Sequence, residues 1–470
     1  MSSTVERAAR VRFRRAMSLM VMTLIVPGSA QLMAGNRKVG RLAVRIWLGL
    51  LGLFALVLLV VLIDRELVFW MVSNTTLLLL LRLGLMAGAI GWAALLVDAW
   101  RLGQPLSLGL AHRRAVVGVN GVLCFGVAGV LLFGAHLVGV QRDFILTMFG
   151  DGEATSAHDG RYNVLLLGGD SGAGRWGLRP DSMTIASIDA DTGRTVLIGL
   201  PRNMADFPFR DGSVMDEQFP DGFDCEGCYL NGVSTWAGDN PELFKDSENP
   251  GVDATVMAIE GITDLTINYW AMVNLKGFKD LVDAVGGVTL NVRQPIPVGG
   301  LGSDVTGYIE PGIRQLDGHD TLWYARAREG SDDYSRMARQ KCVMNAMLEQ
   351  VSPQSAVKNF ESIAKASSEM ISTNLPASEL DTFMSLALKA RSEKIASLSL
   401  VPPMINTGDP DIALVQRKVA EAIDRAEGTA PAPSKGGGRK KTPDAVTGGS
   451  VGSLSEGYAA NDAEDLGAAC

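Results

Sequence analysis

Arginines and aspartates at short spacings are the residues of this 470-residue chain best suited to chemistry. Arg326 and Arg328 sit two apart, so an extended backbone would turn both to one side. Arg336, Arg339 and Gln340 fall at i, i+3 and i+4, on one face of a helix. Beyond its first turn that stretch, MARQKCVMNAMLEQV, is apolar nearly all round. Such a helix is buried, and its arginines then lie near the core and need anions, which a ligand could supply. Upstream stand Asp170, Arg179, Asp181 and Arg202. Arginine presents a planar fork of donors that matches phosphate oxygens two at a time. Several arginines with two aspartates suit a pyrophosphate and a hard divalent cation. Mg²⁺, or Mn²⁺ in its place, takes one or two carboxylates and fills its shell with water and phosphate oxygens. Taken singly, each arginine is more simply a surface ion-pair partner; the spacing of the set beside two loop aspartates argues otherwise.

The elements that would position these residues are legible in the apolar pattern. Residues 162–168 form a short apolar run ending in Gly-Gly, 182–190 a second and 195–200 a third, stopped by Pro201. Asp191-Thr192-Gly193-Arg194 is a tight turn, which makes the second and third strands antiparallel. If the first two are also antiparallel, the end of the first, the start of the second and the end of the third share one sheet edge. Asp170, then Arg179 and Asp181, then Arg202 occupy those places. Downstream, a helix near 252–264, a strand near 268–273, a helix near 275–285 and a strand near 288–292 follow. Mixed strands and helices imply an α/β fold built on a layered sheet.

Three other motifs fail on context. Gly172-Ala173-Gly174-Arg175-Trp176-Gly177 matches a dinucleotide fingerprint, but Pro180 and a β-type pattern follow where a helix must open. Gly169-Asp170-Ser171-Gly172 resembles a serine protease nucleophile, yet of the four histidines His112 and His136 lie in or beside the apolar spans, which leaves only His158 ahead of Ser171 as base. Cys225 and Cys228 form a CxxC with no second pair for zinc.

Composition divides the chain. Residues 1–15 are a basic terminus and 16–138 a membrane region, with spans at about 44–63, 75–97 and 115–138. The stretch 16–34 carries Pro27, Gly28, Ser29 and Gln31 and could cross, dip in or lie in the interface. Residues 1–45 hold nine basic residues and one acid on both sides of that stretch, which puts both its ends in the cytoplasm. The loop with Asp64, Arg65 and Glu66 reads as outside and the loop with Arg101, Arg113 and Arg114 as inside, so the last span delivers the rest of the chain outward. Residues 139–160 read as a linker, 161–352 as the main domain, 353–428 as an extension whose amphipathic stretch 411–426 is most simply a packing helix, and 429–470 as a disordered tail. Outside the cell, a disulfide among Cys225, Cys228 and Cys342 is expected, with one partner left over. The net charge of −8 is segregated by region, and no basic block in the globular part points to nucleic acid.

Taken together, NVLLLGGDSGAGRWGLRPDSMTIASID, LIGLPRN, DLVDAVGGVTLNV, LDGHDTLWYARAR and DDYSRMARQ resemble the LytR-CpsA-Psr family, in order, over about residues 161–352. The resemblance implies an α/β/α sandwich with a mixed central sheet and an apolar groove for a lipid chain. It implies transfer of a glycan phosphate from a polyprenyl-pyrophosphate donor at the membrane to a peptidoglycan hydroxyl. It also implies Mg²⁺ on Asp170 and Asp181, and Arg179, Arg202, Arg326, Arg328, Arg336, Arg339 and Gln340 around the pyrophosphate. Two residues depart from the family pattern. Asn203 stands where an aspartate is usual, which removes a candidate acid or base, and Pro180 stands where a serine is usual. Asp333 is the remaining acid to consider as a base. Competing readings are a pyrophosphatase acting on lipid-linked sugars and a membrane protein that binds the carrier without turnover.

Overall fold

A computed structural model of the chain describes residues 2–63, 70–149, 154–169, 179–300, 304–328, 332–350, 371–429 and 459–470. It divides into two compact units, Met1–Leu146 and Thr147–Cys470.

The first unit is helical: α1 (Ser2–Ile25), α2 (Ser29–Ala34), α3 (Arg37–Ile63), α4 (Thr75–Leu102) and α5 (Leu110–Met148). Three of its helices, within Arg37–Val60, Thr75–Ser107 and Leu110–Thr147, are long and apolar enough to cross a membrane, and each contains one of the expected spans. The stretch 16–34 is not one continuous helix. Gly28 adopts φ +92° and separates α1 from α2, and a side chain there would meet the Gly40 carbonyl at 2.8 Å. The loop at Asp64, Arg65 and Glu66 lies outside the described residues. The expected linker is partly helical, because α5 runs on to Met148. Its end is also anchored: Thr155 N–H donates to the Tyr269 hydroxyl at 2.8 Å.

The second unit is built on a seven-stranded mixed sheet in the order β11-β10-β3-β2-β1-β4-β9. The strands are β1 (Arg161–Gly169), β2 (Pro180–Asp189), β3 (Thr195–Leu200), β4 (Tyr269–Asn274), β9 (Ile371–Thr373), β10 (Ala396–Ser399) and β11 (Asp462–Ala463). The pairs β5 (Val288–Val292) with β8 (Gly312–Leu316), and β6 (Ile296–Gly299) with β7 (Val305–Ile309), form two small antiparallel ribbons. Among the described residues the further α-helices, in sequence order, are α6 (Val214–Gln218), α7 (Val233–Asp239), α8 (Pro250–Thr263), α9 (Leu275–Val285), α10 (Gly318–Arg326), α11 (Asp333–Gln350), α12 (Leu380–Ala390), α13 (Ile412–Glu427) and α14 (Leu466–Ala469).

Alternation along the strands makes two cores. Leu165, Leu167, Ile185 and Ile198 pack with α8 (Ala258, Ile262) and α13 (Val415, Val419). Leu166, Ala186 and Leu197 join α11 (Ala338, Cys342) and α14 (Leu466) in a second cluster. The layering is therefore α/β/α. Helix α11 contributes to a third cluster through Val343 and Ala346, against β5, β8 and α10. Neighbours on several sides explain why a helix so apolar all round is stable there.

The sheet corrects two expected boundaries. The domain does not end at residue 352, because β9 and β10 are strands of the central sheet and α13 packs on it. Nor is 429–470 a free tail throughout. Ser397 and Leu398 of β10 pair with Ala463 and Asp462, and Leu466 and Ala460 are fully buried. Cys470 is disulfide-bonded to Cys342, the partner left over once Cys225 and Cys228 pair. The segment's composition is dominated by residues 430–458, which lie outside the described residues and hide a short edge strand whose partner is some sixty positions upstream.

Candidate functional site

Strand directions bring the candidate residues to one edge. β1 and β2 are antiparallel with Gly169 opposite Pro180, and β2 and β3 are antiparallel with Met183 opposite Leu200. β4 runs parallel to β1 and β10 parallel to β3, so the C-terminal ends of four strands share that edge, the usual place for a ligand in an open α/β sheet. Asp181 lies at the start of β2 and Arg202 two residues beyond β3. The Arg202 Nη1 donates to Asp181 Oδ1 at 2.6 Å.

Helix α11 delivers the second half of the site. Arg336 donates from Nε and Nη2 to the two oxygens of Asp333, both at 3.0 Å, and from Nη1 to the Asp181 carbonyl at 2.9 Å. Arg202 Nε lies 3.7 Å and Arg328 Nη1 4.0 Å from Asp333 Oδ1. Three guanidiniums thus face two carboxylates, and the local charge balance is positive. Burial pulls the Arg328 pKa below its ordinary value, and the neighbouring Arg202 and Arg336 cations pull it further, against Asp333 and Asp181. Its Nε is buried with no hydrogen-bond partner among the described residues. A buried cationic donor beside two other cations is a place for an anion. Burial raises the Asp333 carboxyl, but Arg336, Arg202 and Arg328 outweigh it and hold it below the usual carboxylate range. In this structure the Asp333 carboxylate is what the three arginines gather around.

Other expected site residues have different surroundings. Arg326 ends helix α10, so Arg326 and Arg328 do not project from one extended strand as the spacing implied; the Arg326 guanidinium lies 5.9 Å over the Trp323 ring. Arg339 is buried as expected, but the acceptors it meets include carbonyls. Its Nε donates to Ser335 O at 3.4 Å, its Nη2 donates to Ala327 O, and it lies 5.9 Å over the Tyr324 ring. Gln340 accepts from the Ser182 hydroxyl at 2.9 Å and donates to Ala325 O at 3.2 Å. Arg339 and Gln340 therefore tie the 325–328 segment, with Arg328, to α11 and β2. Arg179 is exposed just before β2. Asp170, with the glycine motif at 172–177, lies outside the described residues. Asn203 is exposed.

Supports from distant segments carried no sequence signal. Asn231 N–H donates to Arg202 O at 3.0 Å and Leu230 N–H to Met204 O at 2.9 Å, so a loop thirty residues on holds the Arg202 turn. Asn461 donates to Tyr334 O at 3.1 Å, beside Asp333, and accepts from Ser399 at 2.8 Å. Among the described residues the cluster with metal-ligand geometry is Asp317, His319 and Asp320. It lies at the opposite end of α10 from Arg326, and Asp317 already caps that helix through Asp320 N–H.

The LytR_cpsA_psr family model matches residues 147–423. Over 268 residues the chain is 25% identical to the Biofilm regulatory protein A of Streptococcus mutans, covering 55% of this chain and 61% of that protein. Over 233 residues it is 28% identical to the polyisoprenyl-teichoic acid–peptidoglycan teichoic acid transferase TagU of Oceanobacillus iheyensis, covering 49% of this chain and 64% of that one. The crystal structure of Bacillus subtilis TagV aligns at 21% identity with a TM-score of 0.42, covering 58% of this chain and 100% of that chain. The match spans less than two thirds of the length of these curated relatives.

Proposed function

The chain belongs to the LytR-CpsA-Psr family, and from that premise we propose that it transfers a phosphate-linked glycopolymer from a polyprenyl-pyrophosphate carrier to peptidoglycan. One observation carries the reading. Arg202, Arg328 and Arg336 converge on Asp333 and Asp181 with cationic charge in excess, and Arg328 keeps a buried donor unmatched. A pyrophosphate supplies the missing anions with the forked geometry that guanidinium matches. The naming of the TagU relative as a teichoic acid transferase supports the polymer class.

In this reading Arg202 and Arg328 hold the diphosphate oxygens. Arg336, clamped by Asp333 and the Asp181 carbonyl, fixes the edge on which they stand. Charge that builds on the transferring phosphoryl group meets donors already oriented, which is where such sites gain most of their rate. The sugar hydroxyl of the wall polymer attacks the glycan-proximal phosphorus, the bond from that phosphorus to the bridging oxygen breaks, and polyprenyl phosphate leaves while the hydroxyl proton passes to solvent.

Asp181, the described one of the two expected ligands, suits a hard divalent cation. Asp181 gives Oδ1 to Arg202 and has a second carboxylate oxygen, and Mg²⁺ needs only one or two protein carboxylates. Asp181 and Asp170 would hold it, and when bound it neutralises charge on the diphosphate. The loop charges of the first unit favour an outward-facing site.

The test is transfer by the full chain in detergent micelles, using a polyprenyl-pyrophosphate-linked glycan and purified peptidoglycan. Arg202→Ala and Asp181→Ala should each lower attachment by at least about a hundredfold, the scale of lost phosphoryl-charge stabilisation. Full activity in both variants refutes the proposal.

A further inference from the structure

The two disulfides of this chain differ in the properties that govern thiol exchange. Cys342–Cys470 joins residues 128 apart, and Cys342 is 1% exposed in the cluster with Ala338, Ile395 and Leu466. Cys225–Cys228 joins residues three apart; Cys225 is exposed, while Cys228 packs half-buried on the main core. Exchange needs a thiolate to reach one sulfur while the other leaves, so access selects Cys225 as the attacked atom and Cys228 as the leaving thiolate. Closing so short a loop also removes little entropy from the unfolded chain, so this bond contributes far less to stability than the long one.

Charge then selects the attacking thiol. From Asp211 to Phe244 the sequence holds eight acidic residues and neither lysine nor arginine. Asp221, Asp224 and Glu226 are exposed around the disulfide, and none of them forms an ion pair among the described residues. An anionic thiol is repelled there and a cationic one concentrated. The same loop is fastened to the candidate site. Cys228 N–H donates to Cys225 O at 2.9 Å, Leu230 N–H to Met204 O and Asn231 N–H to Arg202 O.

We propose that Cys225–Cys228 is a thiol–disulfide exchange site whose co-reactant is a cationic thiol, and that its opening releases the backbone clamp on the Arg202 turn. A thiolate attacks Cys225 Sγ, the Cys225–Cys228 bond breaks, and Cys228 leaves as a thiolate and takes up a proton. A second thiolate attacks the co-reactant sulfur of the mixed disulfide and frees Cys225, which is protonated in turn. Two thiols become one disulfide while the protein disulfide becomes two thiols.

The experiment treats the full chain in micelles with cysteamine, 2-mercaptoethanol or 2-mercaptoethanesulfonate, which are cationic, neutral and anionic, at equal thiolate concentration. Alkylation with peptide-resolved mass spectrometry locates the opened cysteines, and hydrogen exchange reads the Leu230 and Asn231 amides. Label should enter Cys225 and Cys228 well before Cys342 and Cys470. Cysteamine should react about tenfold faster than the sulfonate at low salt, with the difference collapsing near 1 M salt as screening shortens to about 3 Å. Asp224→Asn with Glu226→Gln should narrow that spread, and both amides should exchange faster once the bond is open. Equal rates for the three thiols, earlier opening of Cys342–Cys470, or unchanged amide protection in the reduced chain would overturn the proposal.

Discussion

Replacing Lys341 with methionine should stabilise the protein at neutral pH and remove a slope from its stability against pH. Lys341 is fully buried on α11, and its Nζ has no hydrogen-bond partner among the described residues. Its side chain lies against Gly199 of β3, where a Cβ would meet the lysine Cε at 3.2 Å and the Ser399 hydroxyl at the same distance. Burial pulls its pKa from 10.5 to about 7, with Asp462 opposing in part. Between pH 7 and 10.5 the unfolded chain holds this proton and the folded chain does not, so stability rises with pH across that window. Below pH 7 the cost is carried in full. Each pKa unit is worth about 1.4 kcal/mol, so the full cost is at most about 5 kcal/mol. Methionine keeps the length and packs without a charge, so after some loss to repacking the variant should gain about 2–4 kcal/mol at pH 7. Urea unfolding of the full chain in micelles, at pH 7 and pH 10, measures this. A variant that is destabilised at pH 7, or that keeps the wild-type rise towards pH 10, would refute the reasoning.

Three further outcomes follow from particular contacts. Asp333→Asn removes the charge that Arg336 grips with two bonds and that Arg202 and Arg328 face; transfer should fall at least about tenfold, and Asp333→Glu should restore less than half of it, because the two-pronged geometry is lost. Cys342→Ala opens the 128-residue loop closed by Cys470; unfolding free energy should drop by about 2–5 kcal/mol, read by the same urea titration. Gly318→Ala would drive a methyl into the Lys279 carbonyl, where α9 meets α10; a loss of roughly 1–3 kcal/mol is expected, and a neutral outcome would show that the two helices can separate.

Much of the fold was legible because its signals are local. The strands β1 to β3 are short apolar runs between turn residues, and the Asp191–Arg194 turn fixes one antiparallel pair. Those two facts place Asp181 and Arg202 side by side, and their 2.6 Å bond is a consequence of strand order. What escaped was non-local. β10 pairs with β3 two hundred positions upstream, and β11 docks on β10 from a segment whose composition reads as disordered. Nor does spacing reveal that Arg326 is helical, which parts it from Arg328. Arg339 reads as an anion ligand because it is buried and basic, and backbone carbonyls are among the acceptors it meets. Burial of an arginine shows that it has partners without showing whether they are ligand or chain.

Attachment of the polymer is the most direct measurement of the central claim. The full chain is supplied with a polyprenyl-pyrophosphate donor labelled in its glycan phosphate, together with purified peptidoglycan, and the wall is then digested and the products weighed. The expected result is the label in a phosphodiester to a wall sugar, with one polyprenyl phosphate released for each glycan attached. Phosphate released to water without attachment, or donor bound tightly without turnover, would contradict it.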